Sequence, residues 1–134
     1  MSKNISPLFL TRGVPGTHDT KMTLNFIKKF KKNKFKKLII PKFNKAIDDR
    51  LPKNKWLKVI KKPQIVIFEG WCVGVEQQKN KDLLNAINEL EKYQDKRRIW
   101  RSRVNQELKK NYKKIFRLID KIIFLKVPSF KHVF

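Results

Sequence analysis

The sequence predicts an α/β fold in which about three strands form a parallel sheet flanked by helices. Three observations carry this. Ile65, Val66, Ile67 and Phe68 form an unbroken apolar run, mostly β-branched, as in strands covered by helices on both faces. Two one-sided helical patterns follow it, over residues 81–93 and 99–120. A further apolar run, residues 122–127, then resumes the strand pattern, and strands alternating with helices imply right-handed crossovers in a parallel sheet.

Taken in order, residues 5–10 are a short apolar patch leading into Arg12-Gly13-Val14-Pro15-Gly16-Thr17-His18-Asp19. Two glycines and a proline within four residues make this a shaped loop. Thr17 or Asp19 caps the helix that follows, whose apolar stripe is Met22, Phe26, Ile27 and Phe30. Residues 28–37 are a basic run broken by Phe30, Asn33 and Phe35, expected as a solvated helix end and loop. A short strand over residues 37–40 is stopped by Pro41, which has no N–H to give to a ladder.

Residues 41–50 show no helical stripe and set Asp48 and Asp49 beside Arg50. Such a loop either pairs with itself or binds substrate, its carboxylates accepting from hydroxyls while the arginine grips an anion. Glu69 closes the central apolar run. Strand C-termini in open α/β sheets face the ligand crevice, so an acid there is placed for chemistry, with Gly70 and Gly74 allowing the turn.

The pattern over 81–93 carries Leu83, Leu84, Ile87 and Leu90. The longer one carries Trp100, Val104, Leu108, Tyr112, Ile115 and Ile119. Arg97, Arg98, Arg101 and Arg103 cluster where the long helix starts, a place for either solvated side chains or a phosphate contact.

At 134 residues the chain has room for one modest domain, and a 40% hydrophobic fraction with ten Phe supplies a core. The net charge of +23 favours anionic partners. Yet 27 of its 34 basic residues are Lys, accompanied by ten Asn, a bias that A/T-rich coding sequence also produces. Lys is the weaker choice for planar phosphate or guanine contacts, so nucleic acid is expected to bind only non-specifically. The single cysteine, Cys72, excludes an internal disulfide and a Cys-cluster zinc site. No apolar run approaches the roughly 20 residues of a membrane helix, and a reducing cytoplasm without membrane attachment is the expected setting.

Three stretches carry a specific resemblance: Arg12-Gly13-Val14-Pro15-Gly16-Thr17-His18-Asp19, Ile40-Pro41-Lys42-Phe43-Asn44-Lys45-Ala46-Ile47-Asp48-Asp49-Arg50, and Phe68-Glu69-Gly70-Trp71-Cys72-Val73-Gly74. In order and spacing they resemble the glycerate 3-kinase family of P-loop kinases, related to the uridine kinase and pantothenate kinase folds. Trp100-Arg101, Val104-Asn105 and Val127-Pro128-Ser129-Phe130 look like that family's later motifs. Asn44 stands where the family usually has Asp, keeping an acceptor and losing a charge.

The resemblance implies transfer of the ATP γ-phosphoryl group to D-glycerate or a similar small hydroxy acid, with ATP and magnesium as cofactors. It implies acceptor-hydroxyl contact by Asp19, an acceptor pocket shaped by Asp48, Asp49 and Arg50, catalysis by Glu69 beside magnesium and the γ-phosphate, and phosphate contact by Arg101. Such kinases cradle the nucleotide phosphates in a Gly-x-x-x-x-Gly-Lys-Ser/Thr loop, and none of the four glycines here precedes a lysine. Residues 1–134 are therefore expected to be a single incomplete P-loop kinase domain, without the first strand, the phosphate loop and the C-terminal part. The chain alone is expected to be inactive and to need a separate N-terminal polypeptide that carries the loop. The alternative is a basic nucleic-acid-binding protein or a non-enzymatic interaction protein.

Overall fold

The computed structural model describes residues 4–32, 37–70 and 72–129. Phe35 of the basic run, and Trp71 and Phe130 of the quoted motifs, lie outside them. A 3₁₀ turn over Pro7–Phe9 begins the described chain, and the Ser6 side chain caps it by accepting from the Leu8 N–H. It buries Phe9.

Helix α1 spans Thr20–Lys31. Asp19 is its cap: Oδ1 accepts from the Met22 N–H at 3.0 Å, filling one of the donors a helix start leaves open. Lys28, Lys29 and Lys31 fall in its last turn, where the helix dipole favours cations, and Lys31 also pairs with Asp120 at 2.6 Å.

The described strands are short and antiparallel. β1 (Leu38–Ile40) pairs with β4 (Leu57–Val59), and β2 (Phe43–Asn44) pairs with β3 (Asp49–Arg50). The fold is thus mixed α and β as expected, but the expected parallel sheet is not seen among the described residues. β1 matches the strand read before Pro41. The loop expected over 41–50 is instead a hairpin, its turn closed by the Asn44 side chain accepting from the Ala46 N–H at 3.0 Å and by Asp48 in the left-handed region (φ 47°). Asn44 performs that turn contact without the charge an Asp would bring.

Residues 65–68 and 122–127 form no ladder among the described residues. A strand exists only against a neighbour. β-branched composition gives an extended preference, but it does not supply the partner.

Helix α2 covers only Glu89–Gln94, after a 3₁₀ turn at Asn80–Leu83. The helix expected over 81–93 is cut by Asn88, which accepts from the Glu91 N–H at 2.9 Å and so acts as a cap instead of an interior residue. Of its expected stripe only Leu83 is buried, while Leu84, Ile87 and Leu90 face solvent.

The long helix is present as α3 (Ile99–Glu107), a π-helical turn (Leu108–Tyr112) and α4 (Lys113–Phe116), ending before the expected Asp120. Its stripe holds in part: Leu108, Tyr112 and Ile115 are buried, Trp100 and Val104 are half-buried, and Ile119 lies beyond the helix; α1 packs on both the π turn and α4 as well as on β1. The apolar interior of the described residues is Phe9, Leu38, Leu83, Leu108, Tyr112 and Ile115.

Candidate functional site

The loop over residues 12–19 and the β2–β3 hairpin are joined by two reciprocal ion pairs. Arg12 of the loop reaches Asp48 in the hairpin turn at 3.0 Å, and Arg50 of β3 reaches Asp19 of the loop at 3.4 Å. The Arg12 guanidinium also lies 3.9 Å from the centre of the Phe43 ring, a cation–π contact that fixes its plane.

The loop has the shape these contacts need. Gly13 (φ 131°) and Gly16 (φ 106°) take backbone angles that side chains resist. Thr17 closes the turn, its hydroxyl accepting from the Gly13 N–H at 3.0 Å and donating to the Val14 carbonyl at 2.8 Å. Next to it, His18 is fixed to Tyr112 of the π turn, and the Cys72 thiol donates to the Gly13 carbonyl at 3.7 Å. Burial, and then the charge of Arg12, hold the His18 imidazole below its ordinary value, while burial pushes the Cys72 thiol up.

All four ion-paired side chains keep water access. Exposed pairs of this kind contribute only about 0–1 kcal/mol each, so stability alone gives little reason for the set. Chemically, the accessible carboxylates can accept from hydroxyls, and the guanidinium donors not used in these pairs can meet an anion. Asp19 and Met22, which Arg50 contacts, also line an open cleft of about 380 Å³ between α1 and β1, floored by Phe26, Leu38, Ile39 and Trp56.

Of the residues singled out in the sequence, Asp19, Asp48 and Arg50 come together here. Asp49 sits beside them, its carboxylate accepting from the Arg50 N–H at 2.6 Å. Glu69 is exposed, and no hydrogen bond or ion pair joins it to this group. Arg101 is elsewhere and buried. Its Nε donates to the Leu83 carbonyl at 2.9 Å and its Nη1 to the Asp95 carbonyl at 3.1 Å, with the Glu91 and Asp95 carboxylates at 3.7 and 3.4 Å. Its donors are turned into the corner between α2 and α3, away from the cleft.

Arg12, Phe43 and His18 belong to the site without having been singled out. The signal was present in the charge order: Arg12 precedes Asp19 in the loop, and Asp48 precedes Arg50 in the hairpin, so the segments match when they cross.

Among the described residues no three His, Cys, Asp or Glu side chains gather to hold a metal ion. No described helix is long and apolar enough to cross a membrane.

No protein-family model matches the chain, and no solved structure does. Among curated proteins, the chain is 30% identical over 136 residues to "Uncharacterized kinase mug58" of Schizosaccharomyces pombe. The match covers 96% of this chain and 47% of that protein, so the chain spans about half the length of the relative. That similarity suggests a kinase, at that level of generality.

Proposed function

We propose that this chain supplies the acceptor-binding part of a kinase that phosphorylates a small hydroxy acid of the glycerate type. The reciprocal Arg12–Asp48 and Arg50–Asp19 set carries the proposal. A hydroxy acid offers one carboxylate and at least one hydroxyl. Arg50 holds Asp19 through a single long contact, which leaves guanidinium donors free for a substrate carboxylate. Asp19 then accepts from the hydroxyl, as a carboxylate does in positioning an acceptor oxygen. Asp48 and Asp49 hold the turn that carries Arg50. On this reading ATP and magnesium are engaged with a separate polypeptide that carries the phosphate loop, Glu69 lies on that side, and the residues described here act on the acceptor.

The test is a titration of the isotopically labelled chain with D-glycerate and, separately, with glycerol, which lacks the carboxylate. D-Glycerate is expected to shift the amide resonances of Asp19 and Arg50, and glycerol to leave them in place. Arg50→Ala should abolish the response. Equal shifts with glycerol, or a response indifferent to Arg50→Ala, would remove the basis of the proposal.

A further inference from the structure

The charged pair of Asp19 and Arg50 stands at the mouth of an apolar cleft, and the two form one continuous surface. Asp19 lines the cleft, as does Met22 one turn further along, and Arg50 reaches both: its Nη1 lies 3.4 Å from the Asp19 carboxylate and 3.7 Å from the Met22 sulfur. Trp56, a further lining residue, donates from its indole N–H to the carbonyl of Leu51 at 2.6 Å. Leu51 directly follows Arg50, so this bond holds the indole in place and ties it to the end of β3 that carries Arg50.

The cleft offers more apolar wall than the mouth uses. From α1 it takes Met22, Phe26 and Lys29, which share one face at helical spacing, and from β1 it takes Leu38 and Ile39. Ile39 stays 48% exposed although it lines the cleft with them. The volume of about 380 Å³ falls within the roughly 300–1,000 Å³ of sites that hold drug-sized ligands, whereas glycerate held by Arg50 leaves most of this floor in water. Charge complements an anion here. Asp19 is the one acid among the lining residues, and exposed Lys21 and Lys29 border the cleft with it.

We propose that the cleft receives a ring-sized apolar substituent of the acceptor, so that the chain prefers aryl-substituted hydroxy acids. The inference rests on the acceptor-site reading above and narrows its substrate class. The two ends ask for different chemistry: Arg50 meets the carboxylate and Asp19 the hydroxyl, while a ring against Phe26, Leu38 and Trp56 gains from leaving water and from aromatic contact. A polar substituent gains nothing on that floor. Phe26, Leu38 and Ile39 carry no polar side-chain atom, and the Trp56 N–H is already given to Leu51.

The test compares lactate, phenyllactate and benzyl alcohol as ligands of the isotopically labelled full chain. Phenyllactate is expected to bind at least about tenfold tighter than lactate, from the burial of its ring. It should shift the side-chain resonances of Met22, Leu38 and Trp56 together with the amides of Asp19 and Arg50, whereas lactate shifts the amides alone. Benzyl alcohol, which keeps the ring and a hydroxyl but has no carboxylate, should bind more weakly than phenyllactate. Ile39→Gln places an amide on the cleft floor from an exposed position, so it should narrow the difference between the two acids while the far-ultraviolet circular dichroism stays unchanged. If both acids shift Asp19 and Arg50 with equal affinity and leave the cleft unmoved, this inference falls and the acceptor reading stands. If neither acid moves Asp19 or Arg50, both fall together. The inference is also overturned if the preference survives Ile39→Gln undiminished, if benzyl alcohol binds as tightly as phenyllactate, or if the cleft resonances change on dilution because a second copy covers it.

Discussion

His18 and Tyr112, 94 residues apart in sequence, are joined by a hydrogen bond of 2.5 Å between the imidazole Nδ1 and the phenol Oη. Their rings also meet edge to face at 6.0 Å. This contact ties the loop that carries Arg12 and Asp19 to the π turn of the long helix. The wider turn sits where Tyr112 must reach across, as π turns often do at functional positions. A tyrosine hydroxyl donates most readily to a neutral imidazole, so the link depends on protonation from both sides.

On the acid side, the sign follows from His18 being held below its ordinary 6.5, by burial first and then by Arg12. The unfolded chain then binds more protons than the folded one as pH falls past 6.5. Stability is therefore full above that value and is lost as pH drops through the lowered folded value. Thermal melts of the wild type and of His18→Gln should converge as the solution is acidified. A gap between them that does not change with pH would show that His18 has no part in the acid loss.

On the alkaline side, burial is the largest cause raising the Tyr112 phenol, to about 12 from an ordinary 10. The folded state keeps its proton longer than the unfolded one, so this contribution is present below 10 and is lost as pH rises through about 12. Tyrosinate absorbance should show Tyr112 ionising close to unfolding, and Tyr112→Phe should remove that step. Early ionisation of Tyr112 in an intact fold would contradict its burial.

Arg101 is the tie of the α2–α3 corner. Asp95 also caps α3 from outside, accepting from the Trp100 and Arg101 N–H groups at 2.8 and 3.1 Å, in place of Arg98, which caps nothing with its side chain. Arg101→Met leaves the buried carboxylates of Glu91 and Asp95 without their cation. The expected loss is about 3–5 kcal/mol in denaturant unfolding. A loss within experimental error would mean the corner is held by packing alone.

The sequence made local features legible and hid those that depend on distant partners. The α1 cap, read as Thr17 or Asp19 and filled by Asp19, the α1 stripe, whose four residues are half-buried, and the stop at Pro41 are set by residues a few positions apart. β4 was missed because Leu57-Lys58-Val59 is too short for any period, and its identity comes from pairing with β1. Arg101 looked like its three neighbouring arginines, because nothing local shows which side chain a later corner will bury. The reciprocal pairs were half visible: Asp19 and the Asp48-Asp49-Arg50 stretch stood out as polar groups, and only the fold shows that Arg12 completes them.

The basic surface leads to a separate expectation. Lys28, Lys29 and Lys31 of α1 lie on an element packed against α4, which carries Lys113 and Lys114, so positive charge from two segments shares one region. Lysine charge without planar arginine forks attracts phosphate backbones but does not read bases. Duplex DNA binding should be weak, indifferent to sequence, and lost between low and physiological salt. A tight, sequence-selective complex at physiological salt would favour a nucleic-acid-binding role over the kinase one.

The Asp19 carboxylate does two jobs through its two oxygens, and substitution can separate them. Oδ1 caps α1 through the Met22 N–H, and Oδ2 meets Arg50. Asn keeps an oxygen for the cap and loses the charge, whereas Ala loses both. Because caps are worth about 1 kcal/mol and exposed ion pairs less, Asp19→Ala should lower stability by about that amount and Asp19→Asn by only a few tenths. D-Glycerate binding should fall in both, since the neutral amide no longer offers a charged acceptor to the substrate hydroxyl or a counter-charge that orients Arg50. If Asp19→Asn costs as much stability as Asp19→Ala, the pair with Arg50 is structural and the acceptor role of Asp19 loses its support. If Asp19→Asn is nearly neutral for stability yet weakens glycerate binding, the charge is held there for the ligand and not for the fold.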